Sequence, residues 1–164
     1  MKIVICILLS ISFLGLTSNV VQANPPVIGW LERVTVSDQQ YRFNAKIDTG
    51  ADNTSMHAEN YHLFDRNSEQ WVRFTTNDNN GKDITLERKL VKITRIKRKL
   101  LPAAKRPVVR MVVCIDNVIK EVNVSLVNRN KFKHKMLIGR NYLRNTFLVN
   151  SGVKYTTEPE CQRR

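Results

Sequence analysis

The residues best suited to chemistry in this chain lie in Ala45-Lys46-Ile47-Asp48-Thr49-Gly50-Ala51-Asp52-Asn53-Thr54. An acidic residue, Asp48, ends an apolar run and is followed at once by Thr49, Gly50 and Ala51. Burial there raises the free energy of an ionised carboxylate, so the site must supply hydrogen bonds or use the perturbed proton affinity. Gly50 lets backbone approach closely, and the Thr49 hydroxyl can brace the turn. Three residues recur by chance, and the plain structural alternative is an Asx-type turn at a strand end. Context narrows the choice. Late in the chain, Met136-Leu137-Ile138-Gly139-Arg140-Asn141-Tyr142-Leu143 forms a second apolar strand ended by a polar turn.

Together the two segments resemble the retropepsin family of aspartic peptidases, the retroviral-protease group. In that family an apolar-apolar-Asp-Thr-Gly-Ala-Asp loop precedes a late apolar-Ile-Gly-Arg-Asn-x-Leu strand and short helix. A bacterial branch looks closer still: retropepsin-like proteins labelled ATP-dependent zinc proteases and linked with glutamate-ligating ATP-grasp enzymes. The shared residues are Gly29-Trp30, His57, Trp71-Val72-Arg73-Phe74, Arg106-Pro107-Val108-Val109, Asn128-Arg129 and Leu137-Ile138-Gly139-Arg140. They span about Ile28 to Tyr155, almost the whole chain after its first residues.

The resemblance implies peptide-bond hydrolysis by two carboxylates that share one proton. The ionised member takes a proton from water and the protonated member donates to the scissile carbonyl. One Asp-Thr-Gly is present, and the chain is too short for two pepsin-like lobes. The second carboxylate is therefore expected from a second copy across a two-fold axis. Asp48 is the expected catalytic residue, with Thr49, Gly50, Ala51, Asp52, Gly139, Arg140 and Asn141 supporting its loop. Arg140 is expected to pair with Asp52 in bidentate fashion, and His57 is the candidate to brace the loop. The zinc and ATP of the branch's label find no support, since the chain has no Gly-x-x-x-x-Gly-Lys-Ser/Thr loop and no His-Glu-x-x-His helix. His57 and His62 are five apart and fall on different faces of a helix, so no metal and no cofactor are expected.

These residues must be positioned by strands. Val27 to Val36 reads as one strand, Ser37 to Gln40 as a turn, and Tyr41 to Ile47 as its hairpin partner. In that partner Phe43, Ala45 and Ile47 alternate with Arg42, Asn44 and Lys46, the period of a half-buried strand. A strand around Trp71 and Phe74 ends in Asn77-Asp78-Asn79-Asn80-Gly81, a strong hairpin signal. Ile84 to Lys99 continues in β character, and Val108 to Ile115 with Val118 to Val127 predicts a hairpin over Asp116-Asn117. Short helices are expected at Ala58 to Phe64 and from Arg140. Tyr41, Phe43, Trp71 and Phe74 alternate as core residues rather than as a stacking platform. The expected fold is mainly β, a single-lobed retropepsin-like acid-protease barrel with one or two short helices. No Gly-rich flap is present. The candidates are Asn77 to Asp83 and the basic loop Arg98 to Arg106, whose charge would favour acidic substrates.

Before this domain, Lys2 and the apolar run Ile3 to Leu16 precede Val21-Gln22-Ala23, the pattern of a signal peptide over residues 1–23. The run is short for a membrane span of about 20 residues, and an uncleaved anchor is the alternative. Residues 24–164 are the expected mature domain, periplasmic or secreted, without a stable membrane span. Export permits a disulfide between Cys114 and Cys161, while a buried free thiol at Cys114 is an equal alternative. The chain carries 27 Lys and Arg against 14 Asp and Glu, a net charge of +13. Such a charge favours anionic partners. The signal peptide argues against nucleic acid and for a peptide or protein substrate, acidic if the basic loop is the flap. The competing readings are a non-catalytic module on the same fold that holds anionic cell-envelope polymers and, ranked last, a metallohydrolase.

Overall fold

Alternation of apolar and polar residues at period two makes most of this chain strand, because successive side chains point to opposite faces. The computed structural model describes residues 24–36, 41–98 and 101–161. The expected leader, the turn at Ser37 to Gln40 and the Lys99-Leu100 apex of the basic loop lie outside the described residues. In chain order the elements are β1 (Val27–Gly29), β2 (Leu31–Val36), β3 (Tyr41–Ile47), β4 (Thr54–His57), β5 (Glu59–Arg66) and β6 (Glu69–Asn77). They continue with β7 (Asp83–Arg98), β8 (Leu101–Ile115), β9 (Val118–Val127), β10 (Met136–Ile138), α1 (Arg140–Leu143) and β11 (Leu148–Asn150).

The large sheet runs β2-β3-β10-β4-β9-β8-β7-β6-β5, and β2 also pairs with β8. That pairing sets Thr35 against Cys114 and Val36 against Val113. It closes β2, β3, β10, β4, β9 and β8 into a six-stranded barrel of mixed direction, with β7, β6 and β5 extending from one side. Inward-facing residues fill the barrel: Phe43, Ala45 and Ile47 from β3, Met111, Val113 and Ile115 from β8, and Val122, Val124 and Leu126 from β9. Met56, Met136 and Ile138 belong to the same core. A mainly β barrel with one short helix among the described residues matches the expected class.

Three expectations need correction. The segment expected as a basic loop, Arg98 to Arg106, is strand from Leu101 onward, because β8 starts there and pairs with β7. The expected strand from Val27 to Val36 is two strands broken at Trp30, because β1 leaves the barrel and pairs in parallel with β11. The Trp30 amide instead donates to the Val153 carbonyl at 3.0 Å. The helix expected at Ala58 to Phe64 is strand β5, paired antiparallel with β6. Its register is set by a two-residue turn at Asn67-Ser68, between the paired Arg66 and Glu69. Both turn residues have positive φ, 52° and 62°, the conformation that matches the twist of a hairpin.

The polypeptide after β11 straps back over the barrel. The Tyr155 amide donates to the Leu31 carbonyl at 2.7 Å, and the Glu160 amide to the Asp116 carbonyl at 2.7 Å. Glu32 is fully buried, and its carboxylate accepts from the Gly29 and Thr156 amides at 2.7 and 3.0 Å. The Thr156 hydroxyl adds a bond of 2.6 Å. Cys114 and Cys161 are joined in a disulfide that ends the strap.

Candidate active site

Strands β3 and β10 run parallel, with Ile47 opposite Ile138. The chain therefore leaves both at the same end of the barrel, Asp48 after one and Gly139 after the other. This brings the two sequence motifs into contact. The Asp48 amide donates to the Ile138 carbonyl at 2.9 Å. Asp48 is half-buried, and the tips of its loop, Thr49 and Gly50, are exposed. The Gly50 amide donates to Asp48 Oδ1 at 3.0 Å, so the Asx-type turn is present within the motif.

The segment after β10 holds the Asp48 loop from behind. The Arg140 and Asn141 amides donate to the Ala51 and Asp52 carbonyls at 2.8 and 3.0 Å. Asn141 Oδ1 accepts from the Thr54 amide at 2.9 Å and the Thr54 hydroxyl at 2.8 Å. Its Nδ2 donates to the Asn123 carbonyl at 2.8 Å. A Cβ on Gly139 would lie 2.5 Å from the Asn53 carbonyl carbon, so only glycine permits this approach. Arg140 does pair with Asp52, but not in the bidentate manner expected. Its fork is divided: Nη2 meets Asp52 Oδ1 while Nη1 donates to the Thr49 carbonyl at 2.8 Å. Helix α1 is anchored by Tyr142, whose buried hydroxyl accepts from the Ile115 amide at 3.1 Å and donates to the Val118 carbonyl at 2.8 Å.

Beside the loop lies a cleft of about 380 Å³. Ala51, Asp52 and Asn53 form one wall, and Lys92, Thr94, Ile96, Arg106 and Val108 from the β7–β8 hairpin form the other. Ser55, Ser125, Arg129 and Leu137 also line it. The other flap candidate, the Asn77–Asp83 turn, is tied elsewhere. Asn79 clamps Asn44 on β3, accepting from its amide at 2.5 Å and donating to its side chain at 3.1 Å. Of the two candidates, the β7–β8 hairpin is the one that walls the cleft. A larger hollow, about 740 Å³ between Trp71, Leu90, Arg110 and Glu121, contains none of the Asp48 loop.

Arg129 is the residue that sequence reasoning did not assign, naming it only within the shared Asn128-Arg129 pair. It is buried at 8 % exposure. Its Nε donates to the His134 carbonyl at 3.1 Å and its Nη1 to Ser55 Oγ at 3.4 Å. Phe132 covers the guanidinium at 4.7 Å. Burial lowers its proton affinity, the negative charge of Asp48 raises it, and the charge of Arg106 lowers it again. An arginine remains a cation throughout. His57, expected as a brace for the Asp48 loop, is fully buried and bonds to the Arg129 amide at 2.9 Å. The shared Asn128-Arg129 pair is the one sequence signal that sets Arg129 apart from the solvated basic residues after it, and its burial is decided by the fold.

Comparisons with known proteins agree with this fold. Residues 27–160 match the family described as RimB-like, "Retropepsin-like aspartic endopeptidase RimB". A probable alpha-L-glutamate ligase from Shewanella pealeana is 35 % identical over 109 residues, covering 65 % of this chain and 24 % of the ligase. One from Shewanella halifaxensis is 34 % identical over the same shares. The chain thus spans about a quarter, 24 %, of the length of these curated relatives. A crystallised Legionella pneumophila protein of unknown function (DUF785) superposes with a TM-score of 0.70 at 29 % identity. That superposition covers 82 % of this chain and 100 % of the other.

Proposed function

Because this chain belongs to the RimB-like family of retropepsin-like aspartic endopeptidases, we propose that it hydrolyses peptide bonds outside the cytoplasm, as a homodimer that pairs two Asp48 carboxylates. The observation that carries the reading is the presentation of the Asp48 loop. It is half-buried at Asp48, exposed at Thr49 and Gly50, and held from behind by Arg140 and Asn141. A loop so held and so exposed suits contact with a symmetry mate. Two carboxylates brought within a hydrogen bond cannot both ionise and so share a proton. The ionised Asp48 takes a proton from water as it attacks the carbonyl carbon, and the protonated one donates to the carbonyl oxygen. Collapse of the tetrahedral intermediate then returns a proton to the leaving amine. The exposed apolar Val27 and Leu148, at 53 % and 54 %, stand side by side on the β1–β11 pair and offer an edge for the mate.

The same reading extends to acidic peptides. Lys92, Arg106 and Arg129 all line the cleft beside the loop. The related stretches lie in proteins named as glutamate ligases, which favours a glutamate-rich substrate. Export accords with the Cys114–Cys161 disulfide, since such bonds persist in oxidising compartments.

Asp48→Asn tests the catalytic assignment. Turnover of a glutamate-rich peptide by the wild-type protein should follow a bell-shaped pH profile and respond to pepstatin-type inhibitors. The variant should fold and sediment as a dimer yet lose turnover to background. Undiminished hydrolysis by the variant removes Asp48 from the chemistry. A wild-type protein that binds the peptide without cleaving it selects the binding-module reading instead.

A further inference from the structure

We propose that His57 is a positioning residue for substrate recognition, holding both ends of the segment that carries Arg129 into the cleft beside Asp48. The inference rests on the reading of Arg129 as a group that meets a substrate carboxylate.

His57 ends β4, which runs parallel to β9 with His57 opposite Val127. The chain leaves β9 and returns to β10 through residues 128–135. His57 grips that segment at each end. Its Nδ1 accepts the Arg129 amide at 2.9 Å, and its own amide donates to the Lys135 carbonyl at 2.7 Å. Between these points the loop supplies the His134 carbonyl and the Phe132 ring that fix the Arg129 guanidinium. The groups touching the guanidinium are a carbonyl, a hydroxyl and a ring face, and the negative charge that reaches it is that of Asp48. A buried cation whose direct contacts are all neutral is costly to a fold, and it stands ready for an anion arriving from the cleft.

An acceptor at Nδ1 requires the neutral imidazole with its proton on Nε2. Nε2 is buried without a hydrogen-bond partner, with Glu59 Oε1 3.5 Å away. The charged groups facing the ring are Lys135 and Arg129 from the loop and Glu59 from β5. Burial above all, then Lys135, holds the imidazole below its ordinary range, while Glu59 pulls the other way. Protonation would turn Nδ1 into a donor aimed at the Arg129 amide and release the segment. Affinity for an anionic peptide is therefore complete above the ordinary histidine range. It falls as pH drops through the lowered value.

The test is equilibrium binding of a labelled oligoglutamate peptide and its glutamine analogue, read by anisotropy in the Asp48→Asn background so that turnover plays no part. Arg129→Met should weaken the glutamate peptide by about tenfold or more and leave the glutamine peptide unchanged. His57→Phe should do the same, and adding it to Arg129→Met should weaken binding no further. His57→Asn, which keeps an acceptor near the Nδ1 position, should stay within about threefold of the parent protein. It should also show a smaller acid-side fall in affinity than the parent, keeping only the part that comes from protonation of the peptide's own carboxylates. If Arg129→Met weakens binding while His57→Phe does not, or if His57→Asn shows the same acid-side fall as the parent, the positioning role is overturned. If Arg129→Met changes nothing, the reading of Arg129 falls, and this inference with it.

Discussion

A Cβ on Gly139 would approach the Asn53 carbonyl oxygen to 2.7 Å and the Thr54 nitrogen to 2.9 Å, as well as the carbonyl carbon. Those are backbone atoms on a loop pinned by Asn141, so they cannot swing aside as a flexible side chain would. Gly139→Ala is expected to cost about 3 kcal/mol, at the upper end for overpacking, and to lower Tm by about 10 °C. A thermal melt followed by circular dichroism checks it; an unchanged Tm would mean that the loop is free to move. At this scale the motif residues were legible because their chemistry is local. Asp48 and Gly50 are near neighbours, and the Asx-type bond between them needs no distant partner. Arg129 and His57 were not legible as a pair, because their bond joins β4 to the end of β9 and nothing near either residue announces it.

Parallel pairing of β3 with β10 does for this site what no single strand could, since it places the ends of two distant segments side by side. The strands themselves follow from alternation: Phe43, Ala45 and Ile47 are all core residues. Strand β5 does not. Its residues are mostly exposed, so no apolar face marks its period, and Ala58 to Phe64 fits a short helix equally well. The Asn67-Ser68 turn decided the outcome. The β7–β8 hairpin is the element that walls the cleft with charge, and this yields a contrast between the flap candidates. Arg106→Glu should weaken oligoglutamate binding by about tenfold or more, as a like charge set against an anionic ligand does. Asn79→Ala, which unclamps the other turn from β3, should cost about 1 kcal/mol of stability and leave affinity unaltered. Equal effects of the two on affinity would count against the β7–β8 hairpin as the substrate wall.

For the molecule as a whole, a chain with a net charge of +13 is closed by a strap rather than by a larger core. Glu32 receives the Thr156 amide and hydroxyl in a fully buried setting, and the disulfide holds the end of the strap across a separation of 47 residues. In the chain-entropy account a loop of that length contributes about 4 kcal/mol. Cys161→Ser, or reduction of the wild-type protein by a dithiol, is expected to lower unfolding free energy in urea by about 2–4 kcal/mol. A smaller change would show that the strap's hydrogen bonds hold it without the bridge.

By themselves the amino acids determined the mainly β class, most strand positions and the two motifs that meet at Asp48, because period and motif chemistry are written over neighbouring residues. The choice between strand and helix at β5 was decided only in three dimensions. So were the division of the Arg140 fork, the wall that faces the Asp48 loop, the disulfide, and the burial of Arg129 behind His57. All but the first depend on a partner far away in the chain, with a free energy that exists only once the barrel has closed; the first depends on the β5–β6 pairing beside it.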